Sequence, residues 1–244
     1  AAFEHEAVKP LAFELLRVGP PTPSTFTISE VPHRAKLDQN ESPVDVPTPV
    51  KQALAQAVTE AGWHRYPQPK RYGAIKERFG QAIGQPADRI VLTVGCDQMI
   101  LAAFWAAGGA GRRARIFEPT YPMFAAYARI TETMADRVVL GPDFDVAGHG
   151  LGDPVDLVCL VSPNNPTGNG PGRELVSQAL GRDCLVFVDE AYADYAGESV
   201  LDLVADHPNL LVGRSLSKAM LAGVRLGYGV GHPDLIRVLE QLIE

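Results

Sequence analysis

Cysteine is scarce: three in 244 residues, at 96, 159 and 184. They are too scattered for a metal pattern and, being odd in number, for a disulfide framework, which fits a reducing compartment. The six histidines show no ligand spacing, so no metal site is expected. No apolar run approaches the roughly 18 residues that suggest a membrane span. The opening stretch "AAFEHEAVKP" carries two glutamates and no apolar signal core. Basic residues are in the minority, 22 Lys and Arg against 29 Asp and Glu, for a net charge of −7. That balance lacks the basic face a nucleic acid requires. Repeats and low-complexity tracts are missing too. These absences leave a cytoplasmic globular chain without nucleic-acid or membrane partners.

What is present organises itself as an α/β protein. Hydrophobic residues make up 46% of the chain, enough for a sizeable core. Residues 1–46 read as an N-terminal arm, with the Pro-, Thr- and Ser-rich stretch 17–34 extended. From 47 the pattern predicts a helix in "PTPVKQALAQAVTEAGW", with Thr48 as a cap, Pro49 in the first turn, and Val50, Ala53, Leu54, Ala57 and Val58 on one face. A second helix, "YGAIKERFGQAIG", follows. Short apolar runs then alternate with helices: strands in "RIVLTVG", "ARIFEP", "VDLVCLVSP", "CLVFVDEAY", "NLLVGRSL" and "VRLGYGV", helices in "CDQMILAAFWAAG", "MFAAYARI" and "GRELVSQAL". Continuous apolar strands are buried on both faces, as in a mostly parallel sheet with helices on either side. The expected architecture is a three-layer α/β/α large domain over 47–231, and 232–244 opens a further helix, "HPDLIRVLEQLIE", with no stop signal.

In such sheets, ligands bind beyond the carboxyl ends of the strands. The polar residues predicted there form a set. Gly95, Cys96 and Asp97 stand at a strand-to-helix turn, where free N–H groups favour an anion. Tyr121, Asn164 with Asn165, and Asp189 with Glu190 and Tyr192 follow three further strands. The last is Lys218, alone among small and apolar residues in "SLSKAMLAGVRLGYG" and preceded by Ser215 and Ser217. Each has a plain reading: a glycine turn is usually only a turn, Asp189 can cap, Tyr121 can fill a core, and Lys218 can lay its stem over apolar surface. Their common position at strand ends is what argues for a site.

The set resembles the fold-type I pyridoxal-phosphate enzymes, specifically the class I and II aminotransferases, and among these the histidinol-phosphate aminotransferases. The resemblance runs from about Lys36 to Glu244 and rests on "KLDQNESP", "YPQPKRYGAIKERF", "VGCDQMI", "PTYPMF", "VSPNNPTG", "VFVDEAYADY" and "SLSKAMLAGVRLGY", in the family's order. It implies pyridoxal 5'-phosphate as cofactor, held covalently by Lys218, whose charge-poor surroundings favour the neutral amine. Asp189 would pair with the ring nitrogen, Asn165 and Tyr192 with the phenolic oxygen, and Tyr121 would stack on the ring. The main chain at Cys96 and Asp97, with Gln98, Ser215, Ser217 and Arg225, would hold the phosphate. Tyr66 would reach the site of a neighbouring subunit in a homodimer. The implied reaction moves an amino group from a small-molecule donor, L-histidinol phosphate, to the 2-oxo acid 2-oxoglutarate.

Two departures from the family pattern stand out. Arg225 follows Lys218 by seven positions, where the family's phosphate-binding arginine stands eight after its lysine. The resemblance also implies a C-terminal small domain, on the order of 100 residues, beyond the final helical pattern. Its arginine would grip the substrate or co-substrate carboxylate. The readings that stay open are another class I aminotransferase or a threonine-phosphate decarboxylase-like enzyme, and a truncated fragment that binds the cofactor without turnover. A DNA-binding regulator lacks its basic segment, and a nicotinamide-binding fold lacks its fingerprint: the first strand–turn–helix reads "VGCDQM", and no acidic residue follows "GYGVGH" at the required distance.

Overall fold

Seven strands hydrogen-bond into one sheet in a computed structural model of the chain, which describes residues 36–66 and 68–243. The stretch 17–34, read above as extended, lies outside the described residues. Residues 38–243 belong to one compact unit; of the other, Ala1–Leu37, only Lys36 and Leu37 are described.

The strands are β1 (Ile90–Thr93), β2 (Arg113–Glu118), β3 (Met134–Val139), β4 (Leu157–Val161), β5 (Leu185–Asp189), β6 (Leu210–Ser215) and β7 (Gly227–Gly231). Their order across the sheet is β1-β7-β6-β5-β4-β2-β3. Only β7 runs against its neighbours; the pairs β6–β5, β5–β4, β4–β2 and β2–β3 are parallel. The sheet is therefore mixed but mostly parallel, as the apolar runs predict.

Side chains alternate between two packed faces. Val158, Leu160, Val186, Val188, Leu210 and Val212 enter one core, with Leu175, Val176 and Ala179 of helix α6 (Gly172–Leu180). Phe79 and Ile83 of α2 (Pro69–Ile83) pack on the same side. Leu157, Cys159, Phe187 and Leu211 enter the other. There they meet Met99, Ile100 and Phe104 of α3 (Gly95–Ala107), Phe124 and Ala128 of α4 (Met123–Ile130), and Ile236 and Leu239 of α8 (Pro233–Ile243). Short helices α5 (Val146–His149) and α7 (Ala193–Ala196) are also among the described elements. Fully buried Phe104, Phe124 and Phe187 each contribute roughly 1.5–3 kcal/mol of transfer free energy. The three-layer architecture follows.

Two local expectations change. Strand β3 has no counterpart in the pattern reading. It is an edge strand whose Met134 and Val139 are exposed and whose Asp136 pairs with Arg115, so it never shows the continuous apolar run of a doubly buried strand. Helix α1 (Thr48–Glu60) begins at Thr48 itself, after Pro47, and no side chain caps it. Its apolar stripe forms as expected but buries nothing: Val50, Leu54 and Val58 stay about half exposed, beside Trp63. Among the described residues, no helix is long and apolar enough to cross a membrane.

Candidate active site

Five connections bring polar residues to the edge of the sheet where β1, β2, β4, β5 and β6 end. The first turn of α3 is the most constrained. Gly95 adopts φ +69°, in the left-handed region that favours glycine, and a Cβ there would lie 3.2 Å from Arg225 Nη2. Gly227, opening β7, stands so near that its Cβ would fall 2.5 Å from the Gly95 carbonyl carbon. The helix start is thus pressed against main chain and guanidinium, with no side-chain cap on its first N–H groups.

Asp97, in that first turn, joins two other site residues. Tyr121 Oη donates to Asp97 Oδ1 at 2.8 Å, and Arg225 Nη2 donates to Oδ2 at 3.4 Å. Arg225 reaches the helix start from a left-handed backbone, φ 56°, despite its shorter spacing from Lys218. Burial, reinforced by the Asp97 charge, pushes the Tyr121 phenol well above its usual range, so it remains a neutral donor. Gln98 is turned back on its own helix, where Oε1 accepts the Val94 N–H at 2.7 Å.

Asp189 ends β5 and is 4% exposed. Its Oδ1 accepts the Ala191 N–H at 2.9 Å and the Cys96 thiol at 3.5 Å. Among the described residues, Oδ2 has no hydrogen-bond partner. Burial raises its pKa to about 6, opposed by those two hydrogen bonds and reinforced by the Asp97 and Glu190 charges. The next residue, Glu190, is also buried but is fully engaged. It accepts from Ser199 Oγ at 2.8 Å, Val200 N–H at 2.7 Å and Arg214 Nε at 2.8 Å.

Lys218 sits in a single π-turn, Ser217–Leu221, just after β6. Its Nζ donates to the Gln39 carbonyl at 2.9 Å and lies 5.5 Å from the centroid of the Tyr192 ring. Tyr192 Oη accepts from Asn40 Nδ2 at 3.0 Å. Tyr195 Oη donates to the Lys218 carbonyl, and the Ser217 N–H to Ser215 Oγ at 3.1 Å; both serines are buried. After β4, Asn164 accepts from Thr120 Oγ1 at 2.6 Å and donates to the Pro119 carbonyl at 2.9 Å and to Thr167 Oγ1 at 2.8 Å, shaping the loop. Asn165, half-buried, keeps its side chain free of hydrogen bonds among the described residues.

Tyr66 is not part of this cluster's bonding. It is 91% exposed between α1 and α2, and its hydroxyl bonds no described residue. Pattern reading overlooked Gln39 and Asn40, which lie in the quoted "KLDQNESP" but received no role, the side chain of Cys96, and the Glu190–Arg214 pair. Among the described residues, no three His, Cys, Asp or Glu side chains gather to hold a metal ion.

A glycine-started helix, a buried carboxylate and a lysine at neighbouring strand ends define a class, and the comparisons agree. The chain belongs to the class I and II aminotransferase family, whose model matches residues 32–244. The histidinol-phosphate aminotransferase of Chlorobaculum parvum is 34% identical over 209 residues, 82% of this chain and 59% of that protein. The enzyme of the same name from Thermococcus kodakarensis is 33% identical over 229 residues, 89% and 65% respectively. The crystal structure of histidinol-phosphate aminotransferase from Sinorhizobium meliloti, in complex with pyridoxal-5'-phosphate, superposes with a TM-score of 0.73 at 25% identity, covering 83% of this chain and 57% of that one. The chain therefore spans about 60% of the length of these relatives.

Proposed function

We propose that this chain binds pyridoxal 5'-phosphate and serves an aminotransferase that exchanges an amino group between L-histidinol phosphate and 2-oxoglutarate in the cytoplasm. The observation that carries the reading is Asp189: a buried carboxylate with Oδ1 anchored twice and Oδ2 unpartnered. A protonated ring nitrogen is the kind of partner that such an oxygen lacks. The remaining donors fit the same group. Asn165 has an uncommitted side chain, the first turn of α3 has uncapped N–H groups beside the Arg225 guanidinium, and Lys218 offers an amine. Lys218 would hold the cofactor, Asn165 and Tyr192 its phenolic oxygen, and Tyr121 its ring face. The main chain at Cys96 and Asp97, with Ser215, Ser217 and Arg225, would surround its phosphate. Gln98, whose Oε1 accepts the Val94 N–H, would join that cradle through its amide nitrogen.

When bound, pyridoxal phosphate supplies an electron sink for a carbanion at the substrate's α-carbon. Asp189 would hold the proton on the ring nitrogen, its own carboxyl being raised to about 6 by burial and so ionised above that pH. Lys218 Nζ, released from the Gln39 carbonyl, moves the proton at the substrate α-carbon. Tyr192, taking up Asn40 through its hydroxyl, links the 38–42 segment to the same place. The half-exposed stripe of α1, with Trp63 and Tyr66, supports a homodimer in which Tyr66 serves the neighbouring site.

The test is a half-reaction on the cofactor-loaded chain without any 2-oxo acid, followed by the cofactor's visible absorbance. L-Histidinol phosphate is expected to convert it at least about tenfold faster than L-histidine, L-aspartate or O-phospho-L-threonine. Release of carbon dioxide from O-phospho-L-threonine would favour the decarboxylase instead. No change with any amine would leave a cofactor-binding fragment.

A further inference from the structure

We propose that the Cys96 thiol is a positioning group for Asp189: its hydrogen bond to Oδ1 fixes the carboxylate so that Oδ2 is the oxygen left for a ring nitrogen. The inference rests on the cofactor reading above and extends it to a side chain with no assigned role. Cys96 Sγ lies 3.5 Å from Asp189 Oδ1, on the same oxygen that the Ala191 N–H reaches at 2.9 Å. Two donors on one oxygen set the carboxylate's rotation about its Cβ–Cγ bond, which a single donor does not.

The surroundings hold the thiol in that place. Asp189 pairs in register with Gly213 on β6. A Cβ at Gly213 would fall 3.0 Å from Cys96 Sγ and 2.8 Å from the Phe187 ring, so β6 leaves a gap where the thiol lies. Burial pushes the thiol well above its usual range, and the Asp189 charge adds to this, so the sulfur keeps its proton and acts as donor. The main chain of Cys96 belongs to the uncapped first turn of α3. One residue thereby joins the anion-favouring helix start to the carboxylate.

Two variants and two readouts test this. The other charges facing Asp189 are Asp97 and Glu190, and both remain in Cys96→Ala and Cys96→Ser. In Cys96→Ala, the pyridoxal phosphate dissociation constant is expected to rise about three- to tenfold, the range for a single lost hydrogen bond weakened by a sulfur donor. In the cofactor-free chain, the Asp189 carboxyl, followed by carbon-13 resonance and assigned through Asp189→Asn, is expected to titrate about half a pH unit or more higher. Cys96→Ser should return both values toward wild type. Unchanged affinity and titration in Cys96→Ala would overturn the proposal, as would equal loss of affinity in both variants with Asp189 unmoved, since that is a packing effect. If the wild type takes up no cofactor, the functional reading falls, and the titration alone decides the role of Cys96.

Discussion

Asp189→Asn is expected to make the cofactor-free chain more stable at pH 8 and, at the same time, to weaken cofactor binding. The carboxyl has an ordinary value of 3.8 and is raised to about 6 by burial. Between those values the folded state binds more protons at this site than the unfolded chain. Stability therefore falls as pH rises from about 4 to 6, and the full penalty stands above that. The gap is worth about 3 kcal/mol. Asparagine keeps an oxygen for the Ala191 N–H and the Cys96 thiol without carrying the charge. Denaturant unfolding at pH 8 should show a gain of about 2–3 kcal/mol that shrinks toward zero by about pH 4. Pyridoxal phosphate affinity should drop about 10- to 100-fold, the loss of one charge-assisted hydrogen bond. A variant that is less stable at pH 8, or gains equally at every pH, would contradict the assignment of a desolvated, ionised carboxylate.

Arg214→Ala is expected to destabilise the chain by about 3–5 kcal/mol, because it leaves a buried glutamate without its cation. The Arg214 side chain is 11% exposed and that of Glu190 1%, with 2.7 Å between Nη2 and Oε2. Arg214 also donates to Ser199 Oγ at 2.9 Å and to Asp194 at 3.1 Å, so it ties three residues of the 190–200 turn together. The site should feel the loss. Glu190 follows Asp189 directly, and Arg214 stands four residues before Lys218, so this pair ties the β5 end to the β6 end. Adding Glu190→Gln to Arg214→Ala removes the stranded charge and should recover a substantial part of the loss, read as the shift in urea midpoint at constant slope. A loss below about 1 kcal/mol would mean that water solvates the pair as it does an exposed one.

How much of this was legible in the chain depends on how local the cause is. Strands β1, β2, β4, β5, β6 and β7 declare themselves as apolar runs because both faces are covered. Strand β3 does not, since at the sheet edge Asp136 and Arg137 are as serviceable as valine. Helix α1 was legible as a stripe, but Pro47 rather than Thr48 sets its start. Asp189, Tyr192, Asn165 and Lys218 could be proposed because each stands at, or a few residues past, the end of a readable strand. The bond from Cys96 to Asp189 and the Glu190–Arg214 pair were not. They require β5 beside β6 and the α3 start above both, and no spacing along the chain encodes that. Gln98 shows how a motif leaves part of a side chain unread: its amide oxygen accepts the Val94 N–H one turn back, a local bond that its place among the proposed phosphate ligands does not reveal.

The most direct test of the central claim is chemical trapping at the lysine. The purified chain is incubated with pyridoxal phosphate, reduced with borohydride, digested and examined by peptide mass spectrometry. The account predicts a pyridoxyl group on the peptide that contains Lys218, lost in Lys218→Ala while the protein stays folded. A folded wild-type chain with Lys218 unmodified, or with the label on another lysine, would contradict it.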